Sequence, residues 1–240
     1  GLVMLAHAMV HTFELSIPIL VPVWLAEFST TRATVGIVIS AGYALFGIGA
    51  LPGGVLADAY GSRRLIAGCL LGMGAAFALL GVAPSLAVVT VALLLWGVAA
   101  SVYHPSGLAM LSKGVTEQGS AFAYHGMAGN FGIAVGPLVT TLLLLAFDWQ
   151  TVVVILAVPA FVAAAFAIRV DVDEAAAVGD GEADARADGG VSSMSELVAD
   201  SRLLFSGWFV AVFGVVMLSG LYYRGVLTFL PDLLSGLELF

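Results

Sequence analysis

Long uninterrupted apolar blocks dominate this sequence, several of them about 20 residues or more, enough to carry a helix across a bilayer. Soluble domains carry about 45–50% apolar and about 25% charged residues. Here the 240 residues are 61% hydrophobic and 10% charged, with a mean hydropathy of +1.09. That balance excludes a water-soluble enzyme, and no enzymatic activity is expected. Charge excludes a nucleic-acid binder, since 8 Lys and Arg face 16 Asp and Glu. The blocks do not alternate polar and apolar residues as the strands of a membrane barrel do. An all-α integral membrane protein is the fold class that remains.

Hydropathy divides the chain into seven segments, at roughly 3–27, 33–57, 64–83, 86–112, 119–147, 151–169 and 206–230. Turn and charge signals separate them, as at Asp58–Arg64, Ser112–Gly119 and Asp148-Trp-Gln150. The first block lacks a basic leader and contains His7, His11 and Glu14, so it is read as a span rather than a cleavable signal. Cys69 lies inside an apolar block and has no second cysteine to pair with. The chain starts at Gly1 rather than Met and stops soon after an apolar segment, so both ends are expected to be cropped. Placing the N-terminus in the cytoplasm puts Arg63, Arg64, Lys113, Arg169, Arg186 and Arg202 inside and leaves Arg32 in an outside loop. The positive-inside rule favours that orientation.

The stretch 170–205 holds nine of the sixteen acids, with Ala, Gly and Ser between them, and reads as a disordered cytoplasmic linker. Six spans (1–169), an acidic linker and a new span (206–240) suggest a transporter of two halves, each made of two three-helix repeats. Polar residues agree with that division. Segments one and four carry the ionisable and hydroxyl groups, as repeat equivalents lining a cavity would. Segments three and six carry none in their interiors and are expected to face lipid.

Segment one reads His7-Ala-Met-Val-His11-Thr-Phe-Glu14, spacings that put three ionisable side chains on one helical face. Charge in mid-membrane is costly, so this face should turn to a water-filled cavity and handle protons or substrate. Glu14 is the carboxylate expected to exchange a proton; a structural hydrogen-bond cluster is the alternative. Segment four adds Tyr103 and His104 beside Pro105, which favours a kink. Segment five adds His125 and Asn130, and segment seven holds Arg224, placed to favour an anionic substrate or to pair with Glu14. No histidine pair is read as a metal site within one helix, and no metal or cofactor is expected. Gly129, Gly132 and Gly136 would let helices approach closely, and Pro137 would bend the span.

Certain strings are recognisable. Gly54-x-Leu56-Ala57-Asp58-x-x-Gly61-x-Arg63-Arg64 resembles the segment two/three loop signature of the major facilitator superfamily, at the place where that family has it. The resemblance implies a conformational latch formed by Gly54, Asp58, Gly61, Arg63 and Arg64. Gly132-x-x-x-Gly136-Pro137 resembles the segment five signature of drug/proton antiporters, with Thr140-Thr141 in place of its trailing glycines. Ser101-Val-Tyr103-His104-Pro105, Gly129-Asn130-Phe-Gly132 and Thr228-Phe229-Leu230-Pro231 look like the fosmidomycin-resistance branch. The arginine of many drug antiporters is absent from segment four, which makes Glu14 and the histidines the substitute for the usual proton relay.

The resemblance implies the major facilitator fold: a six-helix N-terminal half plus the first helix of a second half. It implies a twelve-span permease of the cell membrane that works by alternating access. The expected partners are a small-molecule substrate, protons and membrane lipid, with no nucleic acid, and the expected direction is proton-driven efflux. An importer or uniporter on the same fold is the alternative. A seven-helix receptor is a more distant one, because retinal chemistry needs a Schiff-base lysine and Lys113, the only lysine, falls in a loop.

Overall fold

The computed structural model describes residues 1–174, 176 and 208–235. They form nine helices: α1 (Leu2–Glu27), α2 (Arg32–Ile48), α3 (Ala50–Tyr60), α4 (Ser62–Leu80), α5 (Leu86–Ser101), α6 (Tyr103–Gly114), α7 (Gln118–Leu144), α8 (Trp149–Arg169) and α9 (Trp208–Ser235). No strand occurs among the described residues. Among the described residues six spans are long and apolar enough to cross a membrane, α5 and α6 together making one of them, or seven when the bent pair α2–α3 also counts as one. The all-α membrane architecture expected from hydropathy is therefore what the chain adopts. Most of the stretch read as a linker lies outside the described residues.

The chain divides into two compact units, residues 1–177 and 178–240. The first contains α1–α8 and the second contains α9.

Breaks within spans have local causes. Between α2 and α3 the axis turns by 44°. Gly49, at the junction, lies so close to Ser101 that a Cβ there would collide with that side chain. Between α5 and α6 the helix is interrupted at Val102, three residues before Pro105, whose ring cannot donate to the Ser101 carbonyl. The next step keeps its backbone bond, with the Ser106 N–H donating to the Val102 carbonyl at 3.3 Å, and the Ser106 hydroxyl adds a second at 2.7 Å.

In the first unit α1 packs on α7, α4 on α8, α2 on α5, and α4 on α5. Trp24, Phe13, Phe77, Met73, Leu70 and Trp96 form the buried core between them. Phe13 of α1 meets Phe77 of α4 edge-on, with ring centroids 4.2 Å apart. The helices expected to face lipid, α4 and α8, bury one face each against the bundle. Their outer faces are apolar, carrying Leu71 on α4 and Val154, Val158, Val162 and Phe166 on α8.

Glycines set the close approaches. A Cβ at Gly132 would collide with the Ala8 carbonyl, and one at Gly136 would lie 2.6 Å from the Thr12 carbonyl oxygen. Side chains there would push α7 off α1. α7 runs as one helix through Pro137.

Candidate functional site

α1 presents His7, His11 and Glu14 on one face, as the spacing predicts, and the neighbouring helices complete a cluster around them. The His7 and His125 rings stack at 3.8 Å between centroids. His7 lies 5.4 Å from Tyr103 and 5.4 Å from His104, and His11 lies 5.7 Å from His104. Gly129 makes room for this: a Cβ there would fall 2.5 Å from the His7 ring. Phe46 of α2 closes one side, 5.7 Å from His104 and 5.6 Å from Trp96.

The hydrogen bonds run in one chain. His7 Nδ1 faces the His125 carbonyl oxygen at 2.7 Å. A carbonyl only accepts, so His7 Nδ1 carries the hydrogen. In a neutral ring that makes His7 Nε2 an acceptor, and His11 Nε2, 3.0 Å away, donates to it. His11 Nδ1 then faces Glu14 Oε2 at 2.6 Å. One proton must lie between them, on the ring as imidazolium facing carboxylate, or on the acid facing a neutral ring. Both arrangements hold the same number of protons and the same net charge. Glu14 is 1% exposed, so a bare carboxylate would be costly there and the shared proton relieves that cost.

The site is braced from both sides. Pro18 lacks the N–H that would bond the Glu14 carbonyl, and the Tyr43 hydroxyl of α2 donates to that oxygen at 2.9 Å. Tyr103 donates to the Val3 carbonyl at 2.6 Å. Two residues after Glu14, Thr140 Oγ1 of α7 donates to Ser16 Oγ at 2.7 Å, and Ser16 donates to the Thr12 carbonyl at 2.6 Å. Thr140, the residue that departs from the glycine pattern, is thus a buried link between α7 and α1.

Of the other residues singled out from sequence, Asn130 is exposed on α7. Arg224 lies half-exposed on α9, in the second unit.

The loop signature makes a second cluster at one end of the bundle. Gly61, between α3 and α4, has φ +84°, a conformation open to glycine and strained for other residues. Asp58 pairs with Lys113 of α6 at 2.8 Å, rather than with the arginines. Arg63 reaches the C-terminus of α8, where Nη1 donates to the Ile168 carbonyl at 2.9 Å and the Val170 carbonyl at 3.0 Å. Glu174 accepts from the Ser62 and Arg63 backbone N–H groups at 2.6 and 3.0 Å. A carboxylate thus sits at the N-terminus of α4 and a cation at the C-terminus of α8, each complementing the helix dipole it meets. Arg64 is exposed and Gly54 borders open space. Lys113, Tyr43 and Glu174 are the contributors that sequence alone did not pick out. Glu174 was one acid among nine in an acidic stretch.

The Major Facilitator Superfamily profile matches residues 3–239. A puromycin resistance protein of Streptomyces alboniger is 40% identical over 116 residues, 47% of this chain and 23% of that protein. An uncharacterized MFS-type transporter of Mycobacterium tuberculosis is 42% identical over 103 residues, 42% of this chain and 24% of that protein. Among solved structures, a POT peptide transporter in complex with alafosfalin superposes with a TM-score of 0.64 at 16% identity, over 94% of this chain and 50% of that one. At that identity the likeness concerns the fold alone. The aligned stretches cover under a quarter of each of these curated relatives, and the chain spans half of the solved transporter.

Proposed function

Because this chain belongs to the Major Facilitator Superfamily, we propose that it works as part of a secondary transporter that exports a small molecule in exchange for protons. The observation that carries this reading is the buried chain from Glu14 through His11 to His7. It holds one exchangeable proton between two groups of a membrane span. Intramembrane ionisable groups are expensive and mark ion and substrate pathways. The name of the puromycin resistance relative supports export over import.

In this mechanism Glu14 takes a proton from outside, and its release inside resets the site for the next substrate. Arg224 contributes a positive charge that favours an anionic substrate. The N-terminus and the cluster of Asp58, Arg63 and Lys113 lie on the cytoplasmic side of the cell membrane. That end gathers Arg63, Arg64, Lys113 and Arg169, in keeping with the positive-inside rule. The loop signature acts as the latch that holds the end closed. The acidic stretch 170–205 links the two halves.

Everted membrane vesicles carrying the intact gene product test this. A pH gradient is imposed and followed with a fluorescent dye while puromycin, fosmidomycin and a panel of organic anions are added in turn. Dissipation by one compound, lost in Glu14→Gln, is the expected result. Dissipation that persists in Glu14→Gln would remove Glu14 from the coupling path. Substrate movement indifferent to the gradient would replace antiport with uniport.

A further inference from the structure

We propose that His7, His11 and His104 form a three-histidine site for a divalent transition metal of the zinc class. The Nε2 atoms of His7 and His11 face one another at 3.0 Å. Ligand nitrogens of all three residues lie within 4.8 Å of one another. Around a tetrahedral ion with bonds of about 2.0–2.1 Å, imidazole nitrogens sit about 3.3 Å apart. A slight opening of the His7–His11 contact and an approach by His104 suffice to reach that geometry.

The outer nitrogens strengthen the case. Metal-bound histidines turn their second ring nitrogen to a carbonyl or a carboxylate, which fixes the tautomer and raises ligand basicity. Here His7 Nδ1 donates to the His125 carbonyl at 2.7 Å, and His11 Nδ1 meets Glu14 Oε2 at 2.6 Å. Both outer partners are in place, and the two Nε2 atoms face one another. Three neutral imidazoles select zinc, cobalt, nickel or copper over magnesium and calcium, which demand oxygen ligands. The Glu14 carboxylate offsets part of the ion's charge, and water supplies the fourth ligand.

Binding displaces the hydrogen on His11 Nε2, because that lone pair goes to the ion, while the proton between His11 Nδ1 and Glu14 stays. One proton leaves per ion bound. Metal and the His11–His7 hydrogen bond therefore exclude each other. The inference stands apart from the transport reading, since binding is measured without a gradient and either can fail alone.

The test uses the intact protein, purified without a polyhistidine tag, stripped with EDTA and titrated with cobalt(II) in detergent. One equivalent should give the visible absorption bands of four-coordinate cobalt, displaced by zinc and untouched by magnesium. His104→Asn should weaken binding at least about tenfold, and Glu14→Gln about ten- to hundredfold, as for outer-sphere partners elsewhere. His104 is only half-buried and lies outside the α1 hydrogen-bond chain, so its variant keeps the test valid should His11→Asn fail to fold. The absence of saturable cobalt bands in monodisperse protein would overturn the site. So would bands unchanged in His104→Asn.

Discussion

Glu14 has two atoms under constraint, and different neighbours hold each. Its carboxylate meets His11, while its carbonyl, deprived of a helical donor by Pro18, is bonded by Tyr43. Tyr43→Phe removes only the second bond. The expected cost is about 0.5–1.5 kcal/mol, the net worth of one such hydrogen bond, read as a lower thermal midpoint in detergent. An unchanged midpoint would mean that water replaces the hydroxyl. Gly132→Ala acts on packing instead. Its methyl would meet the Ala8 carbonyl, a backbone atom that cannot swing aside. Overpacking of this kind costs about 1–3 kcal/mol, and the same unfolding assay should resolve it from Gly54→Ala, where the added methyl meets open space.

At the scale of elements, helix ends rather than helix middles carry the exposed electrostatics. Asp148 caps α8, its carboxylate accepting from the Thr151 N–H at 2.8 Å and from the Thr151 hydroxyl at 3.1 Å. The Thr151 N–H, and then its hydroxyl, hold the Asp148 carboxyl below the usual carboxylate range. A lowered folded value means the cap contributes fully above the unfolded value and fades as pH falls through the folded one. Acidification should therefore lower the unfolding midpoint of the natural protein more than that of Asp148→Asn, whose amide caps without titrating. Parallel acid profiles would show that the cap adds nothing measurable. Glu174 plays the same part for α4, though it lies 111 residues away from the Arg63 N–H it binds.

At the largest scale, the packing of the first unit partly repeats itself. Exchange spans one with four, two with five and three with six. The α1–α7 contact then becomes the contact of α5 with α2, and α4–α8 maps onto itself. Both exchanged contacts are made at glycines: Gly132 and Gly136 against α1, and Gly42 against Gly97 between α2 and α5. Such internal repeats fit rocking about a central site. Asp58–Lys113 is an exposed pair, worth about 0–1 kcal/mol, so Asp58→Asn should barely move the unfolding midpoint while transport falls severalfold. The reversal Asp58→Lys with Lys113→Asp should restore transport if the pair is the working contact. Normal rates in Asp58→Asn would sink the gating role.

Much of this protein was legible from residues in order. Hydropathy is a running sum over neighbours along the chain, so the spans and their turns could be read directly. Helical geometry is equally local, so His7, His11 and Glu14 could be placed on one face without a structure. Tyr43, Lys113 and Glu174 escaped because nothing near them in the chain sets them apart. His125 enters the site only because α7 lies against α1, bringing its carbonyl to a ring 118 residues earlier. Which faces meet is settled by where glycines let backbones touch and by where a proline strips a carbonyl of its donor. Those are pairwise matters between distant helices. The sequence alone determined a bundle of membrane spans with a polar stripe on the first. Only the tertiary structure decided that four histidines gather in one cluster, that the His7 and His11 nitrogens form a single chain from the His125 carbonyl to Glu14, and that Asp58 is paired with Lys113.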